Sequence, residues 1–400
     1  MQLRNYQEAA YKAIQTYLPV VGNDIVVMPT GGGKSWVIAY AAQLSSNVLI
    51  LQPSQELLKQ NMEKLESIIG PEEIGVYSAS FNRKEIKRFT FATIQSVYKV
   101  PELFKDFKLI IVDECHQVSV RSASSMYTDF FNSIGKPKVI GLTATPYRLE
   151  NAYHKNEFTG ELIQSSMIKM LPRMRHKDAK KCFWDRIIFN VSHKTLLDLD
   201  HLSPLEYIDK PLLPYSEIPI NQSRSDYNLE AYSNTIIGRE AEILSTIAEA
   251  QKRFKSVLVF CATTEQATRL SSVIVGSRTV FGDTDTKERK EVIAGFKDGT
   301  IKTVFNVACL TTGFDHPALD CIILLRPTRS IVLYNQILGR LVRKAEGKTI
   351  GTVIDFTGTC KSIGRVETFK MYKNARNLWD LLTEKNETYH DRVLFSMVIS

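Results

Sequence analysis

A lysine and a serine close a glycine-rich turn near the start of the sequence, and an acidic pair closes an apolar run further on. The turn reads Pro29-Thr30-Gly31-Gly32-Gly33-Lys34-Ser35, and the pair opens Asp113-Glu114-Cys115-His116. A glycine-rich turn between a strand and a helix lets backbone N–H groups close around phosphate oxygens. Lys34 would then reach the β- and γ-phosphates of a nucleotide, and the Ser35 hydroxyl would ligate a divalent cation. Asp113, at the carboxyl end of a strand, fits the role of holding the same cation. Glu114 fits the role of orienting or deprotonating an attacking water. The strict phosphate-loop pattern has glycine where Met28 stands; the acidic pair supplies what that gap leaves out. A third group reads Gln336-x-x-Gly339-Arg340-x-x-Arg343. Guanidinium groups can stabilise the charge that develops on a departing γ-phosphate, an effect worth roughly 10³–10⁵ in rate. A spacing of three on a helix would turn Arg340 and Arg343 to one side.

These groups need strands to carry them. Short runs rich in Val and Ile, without strict alternation, lie at Asp24–Met28, Asn47–Leu51, Phe89–Thr93, Leu109–Val112 and Lys138–Leu142. That is how strands buried on both faces read. Helical patterns separate them, so an α/β fold with parallel sheets is predicted, its chemistry at the carboxyl ends of the strands. The alternation lapses over 151–235 and resumes at Ser256–Cys261, Arg278–Phe281, Thr303–Val307, Cys321–Leu325 and Gly351–Phe356. Four segments follow: a nucleotide-binding domain over 1–150, an irregular basic insert over 151–235, a second α/β domain over 236–360, and a helical extension over 361–400. Glu367 to Lys385 has a helical pattern, and Arg83 to Arg88 reads as a solvated helix.

With these motifs in order, the chain resembles the superfamily 2 helicases, in the DECH/DEAH branch. It is most similar to RadD-type DNA repair helicases and their phage-encoded relatives. The resemblance implies two tandem RecA-like domains with an ATP cleft between them, and ATP with Mg²⁺ as cofactors. Leu3-Arg4-x-Tyr6-Gln7 looks like the adenine-reading element, so Arg4 and Gln7 join Thr30 to Ser35 as nucleotide contacts. Pro53-Ser54-Gln55-Glu56-Leu57 and Phe91-Ala92-Thr93-Ile94-Gln95-Ser96 look like strand-gripping motifs, implying nucleic-acid contacts at Ser54, Gln55, Thr93, Gln95 and Ser96. Thr143-Ala144-Thr145-Pro146 looks like the segment coupling hydrolysis to movement through Thr143 and Thr145. Val259 to Thr263 opens the second domain, with Thr263 on the strand. Asn306 to Asp315 looks like the motif that touches both ligands, with Thr311 and Thr312 on nucleic acid and Gly313 and Asp315 on the nucleotide. Lys34, Asp113, Glu114, Gln336, Arg340 and Arg343 are the implied catalytic set. RadD-type proteins carry a cysteine-rich zinc module that has no counterpart here.

Composition agrees with a polyanionic partner. The chain of 400 residues carries a formal net charge of +8, which favours polyanions without identifying one. Its six cysteines form no C-x-x-C pair, so zinc is not expected. No apolar run reaches the roughly 20 residues of a membrane span, and the start lacks a signal-peptide pattern. The expected setting is the cytoplasm of a bacterium or a phage-infected host. The expected partner is DNA, single-stranded, forked or branched, with replication or recombination proteins as further candidates. The basic stretch Lys169 to Lys181 reads equally as a duplex-contacting element and as a solvated linker. The function expected is an ATP-dependent DNA helicase or translocase in repair, recombination or replication. An RNA helicase is the rival, as is a duplex translocase or clamp that does not unwind. Motif details favour DNA: Gln336 in place of histidine, TAT in place of SAT, and DECH in place of DEAD.

Overall fold

The computed structural model describes residues 2–118, 125–155, 162–171, 183–222, 226–311, 313–375, 379–383, 388–389 and 393–398. The chain forms two compact units. Unit 1 comprises 1–148, 169–192 and 371–381; unit 2 comprises 149–168, 193–370 and 382–400.

Unit 1 begins with α1 (Asn5–Tyr17), β1 (Asp24–Val27), α2 (Lys34–Ala42), β2 (Val48–Leu51), α3 (Gln55–Ile69), β3 (Ile74–Ser78) and β4 (Arg83–Lys84). It continues with β5 (Phe89–Ala92), α4 (Ile94–Val97), β6 (Leu109–Asp113), α5 (Met126–Ser133) and β7 (Lys138–Thr143). Beyond β8 (Tyr147–Lys155) and β9 (Leu162–Met170), β10 (Arg186–Asn190) returns to this unit. Its eight strands lie in the order β10-β1-β7-β6-β2-β5-β3-β4. All neighbours are parallel except β3 and β4. Every residue of β1, β2, β5 and β6 is buried, because crossover helices cover both faces of a parallel sheet. The helices show one apolar stripe each, as with Ala10 and Ile14 of α1 or Leu58 and Leu65 of α3. Parallel pairing then gathers the loops after β1, β2, β5, β6 and β7 at one edge.

A buried ion group fastens β10 to this sheet. Asp24 is fully buried at the start of β1 and takes Lys138 Nζ and Arg186 Nε, each at 2.6 Å. The same cations also donate to the carbonyls of Val20, Gly22 and Val21.

Unit 2 contains α6 (His193–Asp198), β11 (Leu205–Asp209), α7 (Leu229–Thr235), α8 (Glu240–Arg253), β12 (Val257–Cys261), α9 (Thr264–Val273) and β13 (Ser277–Val280). It continues with α10 (Thr286–Asp298), β14 (Thr303–Asn306), β15 (Cys321–Leu325), α11 (Ile331–Leu341), β16 (Gly351–Asp355) and α12 (Thr359–Ile363). The six-stranded sheet runs β11-β16-β15-β12-β14-β13 and is parallel throughout. Ile243, Ile247 and Ala250 of α8 pack with Val257, Val259, Ile323 and Phe356 in its core.

Three expectations need correction. The stretch 151–235 is not irregular throughout: its described part supplies β10 to one sheet and β11 to the other. Strand pairing across long sequence separation decided those segments, and local pattern cannot show it. The helix expected over Glu367 to Lys385 is replaced, among the described residues, by a 3₁₀ turn (Val366–Thr368) and strands at Lys370–Lys373 and Trp379–Leu382. Arg83 to Arg88 is no helix either. It opens with β4, paired antiparallel to β3, and its arginines meet Glu85 and Glu73 at 2.5 and 2.9 Å. Among the described residues, no helix is long and apolar enough to cross a membrane.

Candidate nucleotide site

In unit 1 the glycine-rich turn joins β1 to α2. Gly31 and Gly33 take φ of +83° and +75°, a region open to glycine at little cost. Gly33 is also the residue preceding α2, so the helix starts with Lys34 and Ser35 at its positive end. The turn is held from two sides. Met28 N donates to Thr143 O at 3.0 Å, and Gly32 N to Pro29 O at 3.0 Å. From α1, Tyr6 Oη donates to Gly32 O at 3.0 Å, and Gln7 Nε2 reaches Gly32 O and Gly33 O at 3.4 and 3.5 Å. A Cβ on Gly33 would lie 2.4 Å from Gln7 Nε2, so the packing as well as the dihedral asks for glycine there. Gln7 is itself fixed by accepting Arg4 N at 3.0 Å. Thr30 is buried, whereas the Arg4 side chain is exposed and its guanidinium donates to Tyr6 Oη at 3.3 Å.

The acids arrive at the end of β6. Asp113 is buried and accepts Asn61 Nδ2 of α3 at 2.9 Å and Glu114 N at 2.9 Å. Burial, with the neighbouring Glu114 charge, pushes its carboxyl up to about 6, against the pull of Lys34 and Asn61. Glu114 has φ +48°, a left-handed conformation that costs a non-glycine residue roughly 1–2 kcal/mol. There its Oε1 stands 3.7 Å from Lys34 Nζ and its Oε2 3.3 Å from His116 Nδ1. His116 Nδ1 in turn meets Thr143 Oγ1 at 2.9 Å and Thr145 Oγ1 at 3.3 Å. Thr143 Oγ1 also accepts Thr145 N at 3.0 Å and approaches Glu114 Oε2 at 3.4 Å. The phosphate-loop lysine, the second acid and the TAT segment are therefore one chain of polar contacts, an ion pair from Lys34 to Glu114 and hydrogen bonds onward through Thr143 and His116.

This donor set fits a divalent cation. Asp113 is a buried carboxylate, oriented by an amide and flanked by a second carboxylate, so a cation would offset both the burial and the repulsion that raise its pKa. Asp113, with Ser35 at the start of α2, would hold it. The cation would supply charge neutralisation of the phosphates.

The expected strand-gripping residues divide into two kinds. Gln55 and Gln95 are exposed. The hydroxyls of the others serve local structure. Ser54 caps α3 through Leu57 N at 3.3 Å, and Thr263 caps α9 through Gln266 N at 3.1 Å. Thr93 and Ser96 hydroxyls pair at 2.9 Å, and Thr311 Oγ1 donates to Ala308 O at 2.9 Å. Thr312 lies outside the described residues, as do 172–181 of the basic segment.

In unit 2, Gln336 and the buried Arg340 lie in α11, while Arg343 lies beyond its end. The two arginines therefore do not share a helix face. The Arg340 guanidinium donates to Thr311 O and Phe314 O at 2.7–3.1 Å and shapes the 311–314 loop from within. Arg343 pairs with Asp315, and burial pushes its guanidinium down to about 10. Gly313 has φ +73° in that loop.

Comparison with known proteins agrees with this geometry. The family described as "Type III restriction enzyme, res subunit" matches residues 1–148, and the "Helicase conserved C-terminal domain" matches 239–345. "Putative mitochondrial ATP-dependent helicase irc3" of Schizosaccharomyces pombe is 28% identical over 386 residues, covering 92% of this chain and 58% of that protein. "DNA 3'-5' translocase XPB2" of Sulfurisphaera tokodaii is 26% identical over 389 residues, covering 90% and 82%. Among solved structures, "ATP-dependent Type ISP restriction-modification enzyme LlaBIII bound to DNA" superposes with a TM-score of 0.62 at 19% identity, covering 89% of this chain and 28% of that one. The chain thus spans little more than half of the yeast relative's length. Two parallel sheets, each with its motifs at the carboxyl edge, together with the matches over 1–148 and 239–345, indicate a helicase of superfamily 2.

Proposed function

We propose that this chain is an ATP-driven motor on DNA that unwinds or remodels forked or branched substrates, with Mg²⁺ as the metal. The observation that carries the reading is the continuous chain from Lys34 through Glu114 and His116 to Thr143 and Thr145. It ties the group that touches phosphate to the segment assigned to strand movement, which a nucleotide-binding fold without mechanical work does not need. Lys34 binds the terminal phosphates, Asp113 and Ser35 hold Mg²⁺, and Glu114 takes the proton of the attacking water. Arg343 stabilises the charge on the γ-phosphate, and Arg340 shapes the loop that presents Asp315. The net charge of +8 suits a polyanion, and the DNA in the names of the Sulfurisphaera relative and the restriction enzyme supports DNA over RNA.

The test is ATP turnover with a fork, a plain duplex, and single strands of DNA and RNA of matched sequence. Greatest stimulation by the fork is expected. Stimulation by RNA alone would overturn the substrate, and equal stimulation by plain duplex would favour translocation without unwinding. No turnover with any of them would leave an ATP-dependent clamp.

A further inference from the structure

We infer that Lys348 is a positioning residue for Arg343, holding both the backbone that carries the arginine and the loop that meets its guanidinium. The inference rests on the assignment of Arg343 to the γ-phosphate. The α11 helix ends at Leu341, and the last carbonyls of any helix need donors from outside. Lys348 Nζ donates to Leu341 O at 2.5 Å and to Arg343 O at 2.9 Å. Its third donor reaches Pro317 O at 3.2 Å, on the loop that presents Asp315. Ser203 completes the set: its N donates to Val342 O at 2.8 Å and its Oγ to Arg343 O at 3.3 Å. Three consecutive carbonyls are thereby tied down just where Arg343 leaves the helix.

The chain reaches this arrangement by a tight turn. Lys348 N donates to Ala345 O at 3.2 Å, and Gly347 takes φ +74°, which returns Lys348 towards the helix end. The ammonium group also sits where the helix dipole favours a cation. Arg340 and Lys348 thus hold the loop at opposite ends, Arg340 at Thr311 and Phe314, Lys348 at Pro317. The Asp315–Arg343 pair lies between those anchors. A phosphate-directed guanidinium acts by position, and a displacement of about 1 Å can cost on the order of 10²-fold in rate. Lys348 touches no reacting atom in this scheme; it acts through Arg343.

The test uses the full chain and measures nucleic-acid-stimulated ATP turnover for Lys348→Met, Ser203→Ala, Arg343→Ala and the Lys348→Met/Arg343→Ala pair. Lys348→Met is expected to lower kcat by at least about tenfold, with KM for ATP and Kd for DNA within about twofold. Ser203→Ala, a milder loss of one donor to the same carbonyl, is expected to lower kcat about threefold, and it carries the test if Lys348→Met does not fold. In the Arg343→Ala background, Lys348→Met should cost almost nothing more, because the two act as one unit. A folded Lys348→Met protein with near-normal kcat, beside a crippled Arg343→Ala, would overturn the inference alone. So would full multiplication of the two effects in the double variant. Full activity of Arg343→Ala would instead overturn the role given to Arg343.

Discussion

Replacing Asn61 with leucine should separate metal binding from folding. The Asn61 amide donates to Asp113 Oδ2 at 2.9 Å while its own Oδ1 is buried without a partner. Two terms therefore compete. Losing a hydrogen bond to a carboxylate costs roughly 1.5–3 kcal/mol. Removing a buried, unpartnered acceptor returns about 1–3 kcal/mol, and leucine has nearly the same shape, at a packing cost under about 1.5 kcal/mol. Stability should change little. Metal affinity has no such compensation. The Asp113 carboxyl loses with Asn61 one of the groups that oppose its rise to about 6, which favours the protonated form that binds no metal. Asn61 is also the group that fixes its direction, and outer partners of this kind are worth about 10–100-fold in affinity. The assay is a Mg²⁺ titration of DNA-stimulated ATP hydrolysis at fixed ATP, beside urea unfolding without nucleotide. Half-saturating Mg²⁺ should rise at least about tenfold, with an unfolding midpoint close to that of the parent. An unchanged Mg²⁺ requirement would refute the assignment of Asp113 to the metal.

Other consequences follow from named contacts. Asp24→Asn leaves Lys138 and Arg186 facing a neutral group in a fully buried site; urea unfolding should show a loss of about 3 kcal/mol. Thr143→Val removes the hydroxyl shared by His116 and Thr145 N; DNA stimulation of ATP turnover should fall about tenfold, and basal turnover less. His316 is buried, and its imidazole is pushed down to about 4 by burial, with Lys297 and Lys348 acting the same way and Asp320 opposing. The unfolded chain therefore takes up the proton first, so stability is lost as pH falls from about 6.5 towards 4. His316 alone should contribute a loss of about 2 kcal/mol between pH 7 and pH 5, read as the difference in urea unfolding between the parent and His316→Phe, which joins Phe296 and Phe314.

How much could be read in advance depended on whether a residue's role is local. The glycine-rich turn and the acids after β6 follow from short patterns that bring their own geometry, whereas the spacing of Arg340 and Arg343 does not show that α11 ends between them; the parallel strands announce themselves as unbroken apolar runs. β10 and β11 do not, because each is half-buried or less and gains its partners across long separations. Asn61 left one usable sign, a polar residue on the apolar stripe of α3 between Leu58 and Leu65, where burial demands a polar partner. Lys348 left none, since a lysine after a turn is usually solvated and only the converging carbonyls give it a task. The hydroxyls of Ser54 and Thr263 carry two signals at once: their spacing fits strand contacts, and the same positions precede helices that both of them cap.

The two halves of the machinery share a design that the motifs alone conceal. In unit 1, Lys34 is met by Glu114; in unit 2, Arg343 is met by Asp315. Each cation assigned to phosphate has an acid of its own unit at hand, and each acid sits on a loop held by further contacts, His116 and Thr143 on one side, Arg340 and Lys348 on the other. Under the proposed function a triphosphate would compete with each acid for its cation, so part of its binding energy would go into releasing Glu114 and Asp315. Release of Glu114 frees the base for water and also changes what His116 and Thr143 hold. Release of Asp315 alters the loop that carries Thr311. On this reasoning the same exchange of ion pairs that admits ATP also resets the segments assigned to nucleic acid. It predicts that Asp315→Asn, which keeps the shape but loses the charge, raises ATP affinity while weakening the dependence of turnover on DNA. Turnover that stays as DNA-dependent as before would break that link.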